Sequence, residues 1–338
     1  MNRGRILFRA EASHELGFGH IARLCALIEE TEAQGFEPIA LFTGDAAAIR
    51  AWARDRKLAV DVRDWSTSHV VRLAEDRRVK AVVIDGVSIA NDLIPKLPAQ
   101  VRSVMIDDNG KSLLPASTVV NHNVHAPELA AGYPRCEQRL LGRSYLLLRR
   151  DIRRYLRGSC RPWPSAKPRV VVTFGGSDPV NATTRVVSLI PPDRPLELVV
   201  VCGPGFRDEE SLRAAIAIAE KNGHSVDVRR SPDDPGGLFV SADAAICSAG
   251  GTLGELAYLG CPALAFAIVA DQVLPVRAQV RSGLIAGGAT WADTSDDVLR
   301  AELAAFLTDG PRRRVQRERA LATADGAGAR RILDEALA

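Results

Sequence analysis

The feature that most constrains this chain is an alternation that runs twice. From residue 5 to about 150, short apolar runs of strand length alternate with stretches of helical period. The same alternation restarts at residue 170. Strands that alternate with helices imply a parallel sheet with helices on both faces. Between the two halves, residues 158–168 read Gly-Ser-Cys-Arg-Pro-Trp-Pro-Ser-Ala-Lys-Pro. Three prolines without periodicity mark a connector. The expected organisation is an α/β chain of two Rossmann-like domains. The first covers 1–157, the linker 158–169, and the second 170–338, with helices at the C-terminus. At 338 residues, two domains of ordinary size fit.

In the first half, residues 6–8 form an apolar strand, and Ile21, Leu24, Cys25, Leu27 and Ile28 fall on one helical face. That helix should run to about Gln34 and stop at Gly35. Strands are expected at 38–42, 58–62, 80–84 and 101–106, and helices at 45–56, 66–78 and 89–97, with Ser66 as a cap. In the second half, strands are expected at 170–174, 196–201, 226–228, 244–247 and 263–267. Helices should begin near Asn181, Glu209 and Thr252, and the chain should be helical from about Ser295.

Composition narrows the function. Hydrophobic residues make up 46% and charged residues 25%, as in ordinary globular proteins. The net charge of +3 is too small to argue for nucleic acid, and no basic stripe with interleaved aromatics is present. Arg312, Arg313, Arg314, Arg317 and Arg319 read as a solvated helix face. No apolar run reaches membrane-spanning length. The N-terminus interleaves Arg3, Arg5, Arg9 and Glu11, so no signal-peptide core forms. Six scattered cysteines form no C-x-x-C pair and read as reduced, buried thiols of a cytoplasmic protein. No metal-ligand spacing occurs, so neither metal nor cofactor is expected.

Three stretches carry candidate chemistry. The first is Gly17-Phe18-Gly19-His20, between the first strand and its helix. Glycines there let the chain turn tightly and a ligand approach. A helix start carries partial positive charge and favours a neutral imidazole, which is what a general base needs. A lone histidine at a helix start also serves by satisfying a backbone group, and His14, His122 and His125 are rivals. The second stretch is acidic: Asp85, Asp107 and Asp108 are expected at strand C-termini, on the rim where such sheets bind ligands. Each could equally cap a turn; three on the rim of His20 favour a polar pocket.

The third is a pair of glycine turns, Gly175-Gly176 and Gly250-Gly251, each leaving a strand for a helix. Bare N–H groups at a helix start hold a phosphate or diphosphate. Neither turn is a P-loop or G-x-G-x-x-G, so a kinase or nicotinamide site is unsupported. Glu255, one helical turn beyond Gly251, could accept from both hydroxyls of a ribose, or simply favour the helix dipole.

The Gly-Gly-x-x-x-Glu block, with Asp271-Gln272 after the next strand, resembles the nucleotide-sugar half of transferases related to the lipid II-forming N-acetylglucosaminyl transferase. More closely, the chain resembles the UDP-sugar hydrolases of pseudaminic acid biosynthesis, the PseG type, with the SpsG proteins as kin. Four blocks carry this: residues 8–13 with 17–23, 141–149, 174–181, and 249–255 with 271–272. The resemblance implies a GT-B fold, two Rossmann-like domains with a cleft between them. It implies hydrolysis of a UDP-linked diacetamido-trideoxy sugar at its anomeric carbon, with no metal.

By that resemblance His20 is the base, and Gly250, Gly251 and Glu255 hold UDP, together with Gly175, Gly176, Ser248, Thr252 and Asp271 of the same blocks. Gln272 lies where relatives contact the sugar. Gly17, Gly19, Arg23, Asp85, Asp107 and Asn181 complete the expected sugar site. The chain departs from the pattern where the family has His-Tyr after the aspartate matching Asp85; here Gly86-Val87 follows. Glu11 replaces the usual aspartate, and Asp271 stands where Asn is common.

The expected partner is therefore a small-molecule nucleotide sugar, with no nucleic acid and no membrane span, and the protein a monomer or weak oligomer. Two rival functions stand beside hydrolysis: a glycosyltransferase that uses a nucleotide-sugar donor, and a non-catalytic nucleotide-sugar-binding protein.

Overall fold

The computed structural model describes residues 3–13, 18–55, 57–161 and 167–338. The chain divides into two compact units: residues 1–150 with 326–338, and residues 151–325. The expected division gave the whole C-terminus to the second domain; the structure gives the last helix to the first.

Among the described residues of the first unit, seven strands form one parallel sheet. In chain order the elements are β1 (Arg5–Ala12), α1 (Gly19–Ala33), β2 (Glu37–Gly44), α2 (Ala46–Asp55), β3 (Val60–Val62), α3 (Thr67–Ala74), β4 (Val79–Asp85) and α4 (Val87–Leu93). They continue with β5 (Arg102–Ile106), β6 (Thr118–Asn121) and β7 (Gln138–Leu141), and the short α5 (Arg150–Arg153) lies at the boundary. The order across the sheet is β3-β2-β1-β4-β5-β6-β7, so β1 is central and β7 an edge. β1 reads Arg-Ile-Leu-Phe-Arg-Ala-Glu-Ala and buries residues of both faces, as a strand covered on both sides must. Ile6, Phe8 and Ala10 face Ile21, Leu24, Leu27 and Ile28 of α1, while Leu7 belongs to the core of the other face. Ser66 caps α3, accepting from the His69 N–H.

The second unit holds β8 (Arg169–Thr173), α6 (Ala182–Leu189), β9 (Glu197–Cys202), α7 (Glu209–Lys221), β10 (Ser225–Arg230), α8 (Pro235–Val240), β11 (Ala244–Ser248), α9 (Thr252–Leu259), β12 (Ala263–Ala267), α10 (Val273–Arg281), β13 (Ala286–Thr290), α11 (Asp296–Thr308) and α12 (Gly310–Thr323). The described strands form a parallel sheet of order β10-β9-β8-β11-β12-β13. The final helix α13 (Gly328–Ala336) packs Ile332, Leu333 and Ala336 into the α1 side of the first unit's core. A Cβ at Gly328 would stand 2.2 Å from the Leu146 carbonyl oxygen, so only glycine admits this approach.

The basic cluster on α12 is a solvated face only in part: Arg312, Arg314 and Arg319 are exposed, as expected, but Arg313 and Arg317 turn inward. Arg313 is 1% exposed and donates through Nη1 to the Phe306 carbonyl. Arg317 donates to the carbonyls of Gly260 at 2.7 Å, Cys160 at 3.1 Å and Gly158. Arg317 thus closes the carbonyl at the C-terminus of α9, and Arg313 one within α11. The six cysteines are buried thiols, none in a disulfide bond.

Candidate functional site

In the first unit, the C-terminal ends of β1, β4, β5, β6 and β7 form one rim. β4 ends on Asp85 and β6 on Asn121, and Asp107 and Asp108 follow directly after β5, where the backbone leaves the apolar layer. Gly19 opens α1 with open space where a Cβ would be. His20 is the second residue of that helix, and its side chain is 34% exposed. Arg23 follows at i+3, on the same helix face.

Asp85 ends β4 and is 1% exposed. The Arg23 fork, Nε and Nη2, donates to its two oxygens at 2.9 Å each. His20 Nε2 lies 4.0 Å from Asp85 Oδ1. Arg23 Nη1 donates to Asp108. The other Asp108 oxygen accepts from Asn123 Nδ2 at 2.8 Å. Asn123 also donates to Asn121 Oδ1 at 3.0 Å; Asn121 in turn donates to the Tyr133 hydroxyl at 3.1 Å, which donates to the Asp107 carbonyl at 3.2 Å. A continuous polar chain therefore joins α1, β4, β5 and β6.

The charges on this rim tune one another. Burial pushes the Asp85 carboxyl up, against the pull of Arg23 and His20. Burial would also raise Asp108, but Arg23, then His122, then hydrogen bonds bring it down to about 2. Burial opposes the charge on Arg23; Asp108 and Asp85 outweigh it and hold the proton more firmly than usual. His122 is pushed down to about 4, first by burial and also by Arg23 and Arg143, against Asp108. Arg143 follows Gly142 at the end of β7, and burial lowers it to about 10.

The expected site residues fall unevenly on this rim. His20, Arg23 and Asp85 come together. Asp107 does not join them: its carboxylate accepts the Asn109 N–H at 2.9 Å in a local turn, and Asp108 takes the place beside Arg23. His125 is 5% exposed. Gly17 and His14 lie outside the described residues. Gly86, with φ of +135°, starts α4, and Val87 is 41% exposed where relatives are expected to carry tyrosine. Asn121, Asn123 and Arg143 were not singled out from the sequence; an Asn-His-Asn run directly after a strand was the available signal.

In the second unit, β8 and β11 are neighbours, and both glycine turns leave their C-terminal ends. Ser248 ends β11. A Cβ at Gly175 or at Gly250 would each stand 3.9 Å from Ser248 Oγ, so that hydroxyl lies beside both turns. A Cβ at Gly176 or Gly251 would meet nothing within 4 Å. No side chain caps α9; within its first turn the Leu253 N–H donates to the Gly250 carbonyl at 3.1 Å and the Gly254 N–H to the Gly251 carbonyl at 2.9 Å. Glu255 lies in that first turn and Thr252 opens it. Gln272 accepts the Ile268 N–H through Oε1 at 3.0 Å. Its Nε2 would be 4.0 Å from a Cβ at Gly250. Asp271, beside it, is exposed.

The Gly175 turn is braced. Asp178 (φ +44°) is 4% exposed, and its carboxylate accepts the N–H groups of Ala182 and Thr183 at 2.8 Å each. Asn181 is left-handed at φ +49°, and its buried Oδ1 has no partner among the described residues. The Gly176 carbonyl accepts the Gly205 N–H at 2.8 Å, and a Cβ at Gly203 would stand 2.4 Å from that same oxygen.

Among the described residues, no group of three or more His, Cys, Asp and Glu side chains is placed to hold a metal ion. No described helix is long and apolar enough to cross a membrane.

No protein-family model matches the chain. The chain is distantly related to three curated proteins. An uncharacterised protein of Methanocaldococcus jannaschii is 26% identical over 266 residues, 76% of this chain and 54% of that protein, so the chain spans about half the length of this relative. The spore coat polysaccharide biosynthesis protein SpsG of Bacillus subtilis is 22% identical over 96% of this chain and 95% of its own length. The UDP-2,4-diacetamido-2,4,6-trideoxy-beta-L-altropyranose hydrolase of Campylobacter jejuni is 24% identical over 55% of this chain and 66% of its own. Among solved structures, Acinetobacter baumannii MurG matches with a TM-score of 0.68 at 16% identity, over 98% of this chain and 99% of that one. The spinosyn rhamnosyltransferase SpnG with thymidine diphosphate matches with a TM-score of 0.63 at 16% identity, over 99% and 100%. The fold is GT-B.

Proposed function

We propose that this protein hydrolyses a UDP-activated sugar of the 2,4-diacetamido-2,4,6-trideoxy type at its anomeric carbon. The observation that carries the reading is His20 at the start of α1, 4.0 Å from an aspartate that a bidentate arginine holds in place. The distant relation to a hydrolase of such a sugar, and to SpsG, supports it.

In this mechanism a water oxygen bonds to the anomeric carbon as the bond to the diphosphate breaks. His20 takes the proton from that water. The nearby charge of Asp85 favours the imidazolium that forms, and Arg23 keeps Asp85 from turning away. The second unit holds UDP through the Gly175-Gly176 and Gly250-Gly251 turns and Glu255. Negative charge that grows on the leaving diphosphate is met there by N–H groups fixed in advance. The products are UDP and the free sugar, which goes on toward pseudaminic acid, the nonulosonic acid of flagellin and surface-glycan modification.

The fold is shared with glycosyltransferases, so transfer to an acceptor is the second reading. One experiment separates them. The protein is incubated with the UDP-diacetamido sugar and no acceptor, and UDP and the anomeric product are followed by NMR. Free reducing sugar in step with UDP is the expected result. Donor that binds but stays intact until an acceptor is added would overturn hydrolysis.

A further inference from the structure

Two arginines stand on the first unit's rim, and they differ in one respect. Arg23 has its Nε/Nη2 fork filled by Asp85. In Arg143 the same two nitrogens are buried and have no partner among the described residues. His122, directly after the neighbouring β6, likewise has a buried Nδ1 without a partner among the described residues. The two loops are held together: the Gly142 N–H donates to the Asn121 carbonyl at 2.8 Å, and a Cβ at Gly142 would stand 3.4 Å from Pro127. Arg143 is therefore fixed beside His122 by β6–β7 pairing, not left to wander in solvent.

A buried guanidinium fork with nothing to bind is costly, because its desolvation is not repaid by an acceptor. Burial is the whole cause of the lowered Arg143 value; no carboxylate opposes it. The Nε/Nη2 edge presents two parallel N–H groups, the geometry that matches a planar carboxylate. Arg23 shows that match within this same site.

We infer that Arg143, with His122 beside it, forms a carboxylate-binding subsite at the β7 end of the rim. The subsite sets substrate specificity, since strands lie about 5 Å apart and β7 is three strands from the Asp85 end of β4, beyond the reacting centre. This goes beyond the hydrolase reading and rests on it only in taking the rim as the substrate face: acetamido arms end in methyl groups, so the carboxylate would be a further substituent of the sugar. A free organic acid would be recognised by the same chemistry.

Two measurements test this. In the first, the Arg143 Nε–Hε NMR signal, identified by its loss in Arg143→Lys, is followed while glucuronate is added, with glucose as the neutral control. In the second, UDP-glucuronate and UDP-glucose are compared by calorimetry on the wild type and on Arg143→Gln. A shift with glucuronate alone supports the subsite. A UDP-glucuronate preference of roughly tenfold to a hundredfold, the range of a charge-assisted bond, that Arg143→Gln removes assigns the carboxylate to the sugar. A shift with glucuronate but equal affinity for the two nucleotide sugars assigns it to a free acid. A motionless signal with glucuronate and with UDP-glucuronate, or a preference that survives in Arg143→Gln, overturns the inference. Failure of UDP itself to bind would count against the nucleotide-sugar reading while leaving the glucuronate titration readable.

Discussion

Asp85→Asn isolates the contact on which the proposed chemistry depends. The substitution keeps the shape and removes the charge that lies 4.0 Å from His20 Nε2. Two unit charges about 4 Å apart interact by ~4 kcal/mol at an effective dielectric of ~20. That figure overstates the case here. The Arg23 fork offsets much of the Asp85 charge, and the His20 side chain is 34% exposed, so solvent screens it. Roughly 1–2 kcal/mol survives these two corrections. The expected loss in kcat is therefore about fivefold to thirtyfold. His20→Ala should lose roughly a hundredfold to ten-thousandfold, as removal of a general base does.

UDP affinity should not change in either variant, because the residues proposed to hold UDP belong to the second unit. The assay is UDP release with the double mutant included. If Asp85 acts through His20, adding Asp85→Asn to His20→Ala costs little more, since the charge then has no imidazolium to favour. Fully additive losses would refute the reasoning and make Asp85 a support for Arg23 alone. Arg23 keeps Asp108 in the variant, so a small drop in melting temperature, not unfolding, is expected beside the kinetic effect.

Four further outcomes follow from the same structure. His122 sits at about 4 in the folded protein, below its ordinary 6.5, so the unfolded chain binds the proton more readily; stability should fall as pH drops from 6.5 to 4, and Asp108, held at about 2, extends the loss below 4. Urea midpoints across that range should show a shallower fall in His122→Gln. Gly251→Ala adds a Cβ into open space, so melting should be nearly unchanged while UDP affinity measured by calorimetry drops at least about tenfold if that turn cradles phosphate; equal affinity would remove the turn from the site. Gly203→Ala, by contrast, meets the Gly176 carbonyl oxygen at 2.4 Å and should destabilise the second unit by about 1–3 kcal/mol as well, read from chemical denaturation. Arg317→Ala removes donors from the carbonyls of Gly158, Cys160 and Gly260 and should cost about 2–4 kcal/mol by the same measurement.

The interior strands were legible because burial on both faces forces unbroken apolar runs, as in Val170-Val171-Val172 or Ala263–Ala267. The edges were not. β7 reads Gln-Arg-Leu-Leu and β13 Ala-Gly-Gly-Ala-Thr, and each pairs on one side only. An edge strand needs less apolar surface and tolerates irregularity. β13 carries Gly287 at φ +81° and Gly288 at φ +95°, with a register shift opposite β12, so it looked like a loop. The return of α13 to the first unit has a comparable cause. Its apolar face, Ile332, Leu333 and Ala336, shows that it packs, but nothing local says on which unit.

Residue types at the site were legible, and their pairing was not. An acidic strand end tells where a carboxylate is, because the rim of a parallel sheet is where polar groups can sit. It does not tell which neighbour the carboxylate serves. Asp107 and Asp108 are adjacent and chemically identical, yet only Asp108 reaches Arg23, because Asp107 is spent on the Asn109 N–H in its own turn. The ion pairs of Arg23 span 62 and 85 residues, separations no local pattern encodes. Arg143 is the sharper case. Its meaning lies in a partner it lacks, and the lack exists only once β7 has paired with β6 and burial has removed water from the fork. A sequence can show that an arginine is present; only the packed rim shows that one guanidinium is satisfied by the chain and the other is left for a ligand.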